Sequence, residues 1–370
     1  MKKRISIVEL YNHHEVVRVL AKLLSTKYDV TIFAEKKVLN QLGNLSAKYI
    51  TKQTHETEKS FLRKQLHTLN QADIILFTTL VKFLKFYSQL SFIPTTLLLI
   101  HDGNYFIRPN KAIKVKNIKG VLRWLKFKLY REEFYRRQLL QHFSYITFAD
   151  NFIAHTLSKE IKQLNINVLP ALPLTYNEGL PQKSKHNKPI IIIPGSVNQN
   201  RDYRLVYEAF RKIAPTAEKT IELVLLGNAS SNYGQKINAL FHNLDPKRIK
   251  VTSFSSEISQ EVYDEYLRKS NLAIIPIKQE FIGGIFKEEY GKTKITGSVN
   301  DVVRFGIPTL ISQSYPAPSD LFVPFQDAEV LGTLILKWLS APNNLALEFY
   351  SEDFSFPKMA ERLVAIIEAT

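Results

Sequence analysis

Near the middle of the chain, Ile-Pro-Gly195-Ser-Val-Asn-Gln-Asn-Arg201 sets a glycine and a guanidinium six residues apart. An apolar run precedes this segment, and a stretch with helical spacing, Tyr203 to Phe210, follows it. A glycine lets backbone approach a ligand closely. The first amides of a helix, with the positive end of its dipole, favour an anion, and an arginine grips phosphate oxygens as a fork. The same pattern also describes an ordinary strand-to-helix turn, so alone it marks only a place where phosphate would fit. Two other clusters hold groups able to move protons. Glu9-Leu-Tyr-Asn-His13-His14-Glu15 follows one apolar run, and His101-Asp102-Gly103-Asn104-Tyr105 follows another. His101, Asp102, His14 and Glu15 are the acid–base candidates. Adjacent histidines do not face one another on a helix, so the His-His-Glu run is not expected to bind metal.

These groups act only if secondary structure holds them. Apolar β-rich runs at 5–10, 30–34, 72–78, 95–100 and 145–149, with a last one near 167–169, alternate with helical periods at 15–24, 56–69 and 154–163. Short apolar strands between amphipathic helices read as βαβ units on a parallel sheet. Pro170, Pro173, Pro181 and Pro189 then break the rhythm and mark a linker over 171–189. A second series places strands at 190–193, 222–226, 248–252 and 272–275, with another opening at Gly306. Helices are expected at 203–212, 260–268, 298–305 and 328–339. The predicted class is α/β, with two Rossmann-like doubly wound domains facing across a cleft. The first spans 1–170 and the second 190–355, and a final helix within 356–370 returns to the first. Both proton-moving clusters then lie just past strand carboxyl ends, where open α/β sheets place ligands.

Several segments, in order, resemble the donor domain of GT-B glycosyltransferases, especially the large retaining group of family 4. Gly195, Arg201 and Glu208-Ala209-Phe210 match the spacing of its opening strand, loop and helix. Leu223-Val-Leu-Leu-Gly227 is similar to its next strand and glycine, and Ser270-Asn-Leu-Ala-Ile-Ile-Pro276 to a later strand. Asp301-Val-Val-Arg-Phe-Gly306-Ile-Pro308 resembles its Glu-Ala-x-x-x-Gly-x-Pro motif. The likeness covers about residues 190–312 and is looser before them. It implies that Gly195, Ser196, Arg201, Gly227 and Asp301 bind a nucleotide-sugar donor, Asp301 holding the ribose; an acid near a helix start also stabilises the dipole. It implies too that His101 touches the donor sugar, and that His13, His14, Glu15 and Asn104 line the acceptor side. His101, Asp102 and Arg201 are the expected catalytic groups. Two departures stand out. Ser196 occupies the position of a usual arginine, and Thr293 that of a usual glutamate. Glu288 or Glu289 offers the carboxylate instead, and Lys292 or Lys294 the missing cation as a point charge; Glu289 and Lys294 are counted with the donor site. The implied activity is metal-independent, retaining glycosyl transfer without a cofactor, the nucleotide-sugar being a co-substrate, to a glycan or lipid-linked acceptor in surface polysaccharide biosynthesis. The alternatives are inverting transfer with Asp102 or His101 as the base, a sugar-nucleotide 2-epimerase of the same fold and a non-catalytic nucleotide- or glycan-binding module.

Composition sets the outer bounds. The chain has 370 residues, enough for two cores, and 45% hydrophobic against 23% charged residues, an ordinary globular balance. It contains no cysteine, which excludes disulfides, thiolate metal sites and a cysteine nucleophile and fits a reducing compartment. The net charge of +16 is all in the first half: residues 1–170 carry 28 Lys and Arg against 12 Asp and Glu, and the rest carry 22 of each. Residues 119–137 interleave Trp124, Phe127, Tyr130 and Phe134 with cations, and read as a helix with Leu122, Leu125 and Leu129 on one stripe. Such a helix suits an anionic membrane surface, with Trp124 and Phe127 dipping in, or a core-packed helix with a solvated basic face. No nucleic-acid-reading motif accompanies it, so no nucleic-acid partner is expected. No apolar run is long enough to span a bilayer. The expected location is cytoplasmic, peripheral on the inner face of the cytoplasmic membrane.

Overall fold

A computed structural model describes residues 2–179, 188–316, 322–340 and 352–370. Part of the expected linker, 180–187, and parts of the expected second domain, 317–321 and 341–351, lie outside the described residues. The chain forms two compact units. The first takes Met1–Leu174, Ile282–Ile295 and Phe356–Thr370, and the second Thr175–Phe281 and Thr296–Ser355.

In the first unit, β1 (Arg4–Glu9), β2 (Asp29–Glu35), β3 (Lys48–Lys52), β4 (Ile74–Phe77), β5 (Thr95–Ile100) and β6 (Tyr145–Phe148) make one parallel sheet in the order β3-β2-β1-β4-β5-β6. This doubly wound order reverses between β1 and β4, and the crevice at their carboxyl ends is where such sheets take ligands. β4 reads Ile-Ile-Leu-Phe and is buried throughout, as a strand covered on both faces must be. The helix His14–Leu24 buries Val17, Leu20, Ala21 and Leu24 at helical spacing. The last helix, Phe356–Glu368, packs against it and buries Met359, Leu363, Ile366 and Ile367. Its end is fixed by Glu368, which accepts from Tyr28 at 2.6 Å and pairs with Lys3 and Lys27. These partners, the Tyr28 hydroxyl first, pull the Glu368 carboxyl down to about 2.

The second unit repeats the plan. β7 (Ile190–Pro194), β8 (Ile221–Asn228), β9 (Ile249–Phe254) and β10 (Leu272–Ile275) come first. A hairpin of β11 (Glu280–Gly283) and β12 (Phe286–Glu289) follows, turning at Gly284 with φ +63°, and from Ile282 to Ile295 the chain belongs to the first unit. β13 (Thr309–Ser312) and β14 (Phe322–Phe325) complete the second sheet, ordered β14-β13-β10-β7-β8-β9. Counted from β7, this is the same doubly wound order, and it reverses between β7 and β10. Tyr203, Val206, Phe210 and Ile213 of the helix Tyr203–Ile213 join Leu331, Ile335 and Trp338 of the helix Ala328–Ser340 in its core.

Two expected elements differ. Val168 makes only an isolated bridge to Ile146, and no strand forms over 167–169. The single helix expected over 119–137 is two, Ile118–Leu129 and Glu132–His142, broken at Arg131 with φ +49°. Phe127 does not dip into a surface. It lies about 180° around the helix from Ile118 and is buried with Ala112, Ile285 and Phe286. Beside it the buried Arg136 guanidinium lies 4.1 Å over the Tyr105 ring and 5.6 and 5.7 Å from those of Phe127 and Phe286, a desolvated cation–π cluster. Because the C-terminal helix contributes fully buried side chains to the first unit, Leu363→Ala should lower the stability of the full chain by about 2–5 kcal/mol in urea unfolding.

Candidate active site

In the second unit the chain leaves β7 at Pro194 and turns at Gly195, whose φ of +98° suits a residue without Cβ. The Gly195 amide donates to Leu226 O at 2.8 Å and the Val197 amide to Asn228 O at 3.0 Å, which pins the loop to the end of β8. A Cβ on Gly227 would strike the Gly195 carbonyl, so this close passage needs a glycine there. Asp202 then caps the helix Tyr203–Ile213, accepting from the Leu205 amide at 3.2 Å, and this sets Arg201 immediately before the helix. The Arg201 side chain folds against the Gly195 turn, in the space that a Cβ there would fill. Its Nη2 donates to Ser298 Oγ at 2.6 Å, and Ser298 Oγ donates to Pro194 O at 2.8 Å. Arg201 is 9% exposed, and its buried Nη1 has no hydrogen-bond partner among the described residues. Ser196, at the usual arginine position, is exposed beside it.

The helix Gly297–Arg304 carries a polar ridge at three-residue spacing. Ser298 meets Arg201. Asp301, one turn on, accepts from the Tyr263 hydroxyl at 2.8 Å, and burial, then Asp301, raise that phenol far above its ordinary pKa. Arg304, a further turn on, forms a buried ion pair with Asp264. Arg201 therefore meets Ser298 at the start of this helix, and Asp301 lies one turn further along it. That start offers an anion the cation, the first helical amides and the dipole.

The first unit gathers a different set. Glu9, at the end of β1, is buried and accepts from the Tyr11 amide at 2.6 Å and from Thr78 Oγ1 at 2.8 Å. His13 and His101, past the ends of β1 and β5, stack with ring centroids 4.4 Å apart and planes 4° from parallel. His101 Nε2 lies 2.9 Å from Thr78 O. Burial, the neighbouring His13 ring and Lys294 hold His101 well below the usual imidazole range. It is therefore neutral near pH 7, Nε2 carries the proton towards the carbonyl, and Nδ1 keeps a lone pair. Asp102 forms an ion pair with Lys294, and the Gly103 amide donates to Thr293 O at 2.8 Å. A Cβ on Gly103 would come within 2.7 Å of Ile153 and Leu157, so the glycine permits this pairing.

Glu288 fixes the same segment. It is 1% exposed and accepts from the Asn104 amide at 3.0 Å and the Tyr105 amide at 2.7 Å. Asn104 is itself buried, donating to Lys287 O and accepting from Arg108 Nε at 2.7 Å. Both ends of its amide are thus used within the unit. Glu289 pairs with Lys287 and Lys292, and His14 pairs with Glu15 on the first turn of its helix. Among the described residues no group of three or more His, Asp or Glu stands close enough to hold a metal ion, and no helix is long and apolar enough to cross a membrane.

No known protein-family profile matches the chain, and no curated protein sequence matches it. Solved structures do. A glycosyltransferase from Rickettsia africae superposes over 100% of this chain and 98% of its own, with a TM-score of 0.62 at 14% identity. HepE from Anabaena, solved with UDP and glucose, matches over 100% of both chains, with a TM-score of 0.62 at 11% identity. WaaG, a glycosyltransferase involved in lipopolysaccharide biosynthesis, matches over 99% of this chain and 98% of its own, with a TM-score of 0.55 at 12% identity. The fold is GT-B. Within that fold, three contributors to the two sets were not singled out in the sequence. Ser298 and Tyr263 have no local signature, since each matters only through a partner many residues away. Thr78 differs, because its place at the end of an apolar run made it findable.

Burial raises the Glu288 carboxyl to about 7, and Asp102 adds to the shift. The folded state therefore keeps this proton up to about pH 7, whereas the unfolded chain releases it near 4.5. Stability should fall as pH rises between those values, by an amount on the order of 3 kcal/mol, and level off above. Glu288→Gln should flatten that slope in urea unfolding followed from pH 4.5 to 8.

Proposed function

We propose that this chain is a glycosyltransferase that moves a sugar from a nucleotide-sugar donor to a glycan or lipid-linked acceptor, in the assembly of a surface polysaccharide. One observation carries the reading: the Arg201 guanidinium is buried against the Gly195 turn and the start of the helix Gly297–Arg304, with Nη1 unpartnered among the described residues. A buried cation without an anion is costly, and a diphosphate supplies the missing charge and acceptor oxygens in the geometry that arginine prefers. That the Anabaena protein of the same fold was solved with UDP and glucose supports a nucleotide-sugar as the donor.

In this reading the second unit handles the leaving group. Bond cleavage builds negative charge on the departing diphosphate, and Arg201 with the helix-start amides stabilises it in place of a metal ion. Asp301, steadied by Tyr263, holds the ribose. Transfer proceeds with retention and needs no protein nucleophile, the acceptor attacking on the face the diphosphate leaves. The first unit supplies the acceptor side, with His101 presenting a neutral ring and Lys294 steadying Asp102.

A thermal-shift screen of UDP-, GDP- and CDP-sugars tests this directly. The matching nucleotide-sugar, at about 100 times its Kd, contributes about 2.7 kcal/mol and should raise Tm by several degrees. Arg201→Ala should abolish that rise and lower turnover at least about a hundredfold. If no nucleotide-sugar shifts the wild-type chain, or if Arg201→Ala leaves the shift intact, the donor assignment is wrong.

A further inference from the structure

We infer that the helix Ile118–Leu129 is a docking element for an anionic lipid bilayer, lying in the plane of the surface. The inference goes beyond the transferase reading and does not rest on it. It begins from apolar side chains left in water. Ile118 is 80% exposed, Leu122 55%, Leu129 79% and the following Tyr130 67%, with Val121 and Leu125 also exposed.

At about 100° per residue, Ile118, Val121, Leu122, Leu125 and Leu129 fall within about 60° either side of one line along the helix. The opposite line holds Phe127, the one side chain of the helix that is buried. The helix is thus held to its unit by the Phe127 ring, the Arg123–Glu132 ion pair and the Lys128–Asn110 hydrogen bond, and turns a continuous apolar stripe outward. Scattered exposed apolar residues need no explanation, but a contiguous stripe does.

Charge selects the occupant. Lys119 and Lys126 lie on one flank of the stripe at about 100° and 80°, and Lys128 on the other at about 280°. All three are exposed. From Arg108 to Arg137 the chain carries 11 Lys and Arg against two Asp and Glu. Both of those glutamates are already paired, Glu132 with Arg123 and Glu133 with Arg137. The local field is therefore strongly positive around an apolar centre. An apolar stripe between rows of lysines matches a surface with anionic headgroups above hydrocarbon, the apolar side chains entering the acyl boundary and the lysines reaching the phosphates. A second copy of the chain would bring the same positive field against itself, and a nucleic acid would have no use for the leucines.

Flotation of the full chain with vesicles of phosphatidylcholine alone, and with phosphatidylglycerol added, tests the assignment. The chain should float with the anionic vesicles, less so at high salt and little with the neutral ones. Leu122→Asp with Leu125→Asp, and separately Lys119→Glu with Lys126→Glu, should each lower the bound fraction at least about tenfold. Both pairs are exposed, so Tm should hold. Unchanged flotation of the leucine variant would overturn the inference. So would an absence of flotation together with either a dimer that the leucine variant dissolves or binding to RNA.

Discussion

A guanidinium out of water needs an answering charge, and much of the second unit is arranged around that constraint. Arg201 is held by a serine that is itself held by the Pro194 carbonyl, so its position is set by two hydrogen bonds rather than by a carboxylate. An ion pair at this point would have neutralised the site. A hydroxyl orients the cation and leaves its charge without an ion-pair partner among the described residues, and in the proposed reaction a donor phosphate would supply that partner. The two glycines follow from the same requirement. Gly195 gives the guanidinium room, and Gly227 lets the loop sit down on β8.

The first unit solves a different problem, which is to hold a segment distant in sequence against the ends of its strands. Residues 282–295 reach it through one ring, Phe286, packed against Phe127 and Tyr105, and through one carboxylate on two backbone amides. Glu288 satisfies amides at the start of a short helix that would otherwise be buried without partners. The raised pKa of that carboxyl records the cost of burying it. Lys294 arrives beside Asp102 as a consequence, so the charges around the end of β5 depend on a hairpin nearly 200 residues away. Arg136, beneath the same rings, adds a second buried cation, which lies over aromatic faces and 3.9 Å from a Glu132 carboxylate oxygen.

The two buried cations and the exposed lysines show the same residue classes used in three ways. Arg201 keeps an open valence beside a glycine turn, Arg136 is spent on packing, and the lysines flanking the Ile118–Leu129 stripe keep their charge in solvent. Composition adds these together as one net charge. Their environments divide them by task.

Apolar period and turn chemistry settled most of the architecture in advance. The runs at 95–100 and 190–193 suit strands covered on both faces because no charged residue interrupts them, and Gly195 with Arg201 marks a phosphate-competent turn because only a few residue types suit that geometry. Weak periodicity hides the edge strands. β3 is Lys-Tyr-Ile-Thr-Lys, an edge strand with too little apolar content to stand out, and β14 contains a proline. The break at Arg131 has no sequence signature, because a left-handed arginine looks like any other. The sequence could name His101, Asp102, Arg201 and Asp301, since chemistry resides in side-chain type. Only the folded chain could pair Arg201 with Ser298, Asp301 with Tyr263 and Asp102 with Lys294. Those pairings join residues 38 to 192 positions apart. A local pattern encodes its own dihedral preferences and its own face, but contact between remote segments is set by how whole elements pack.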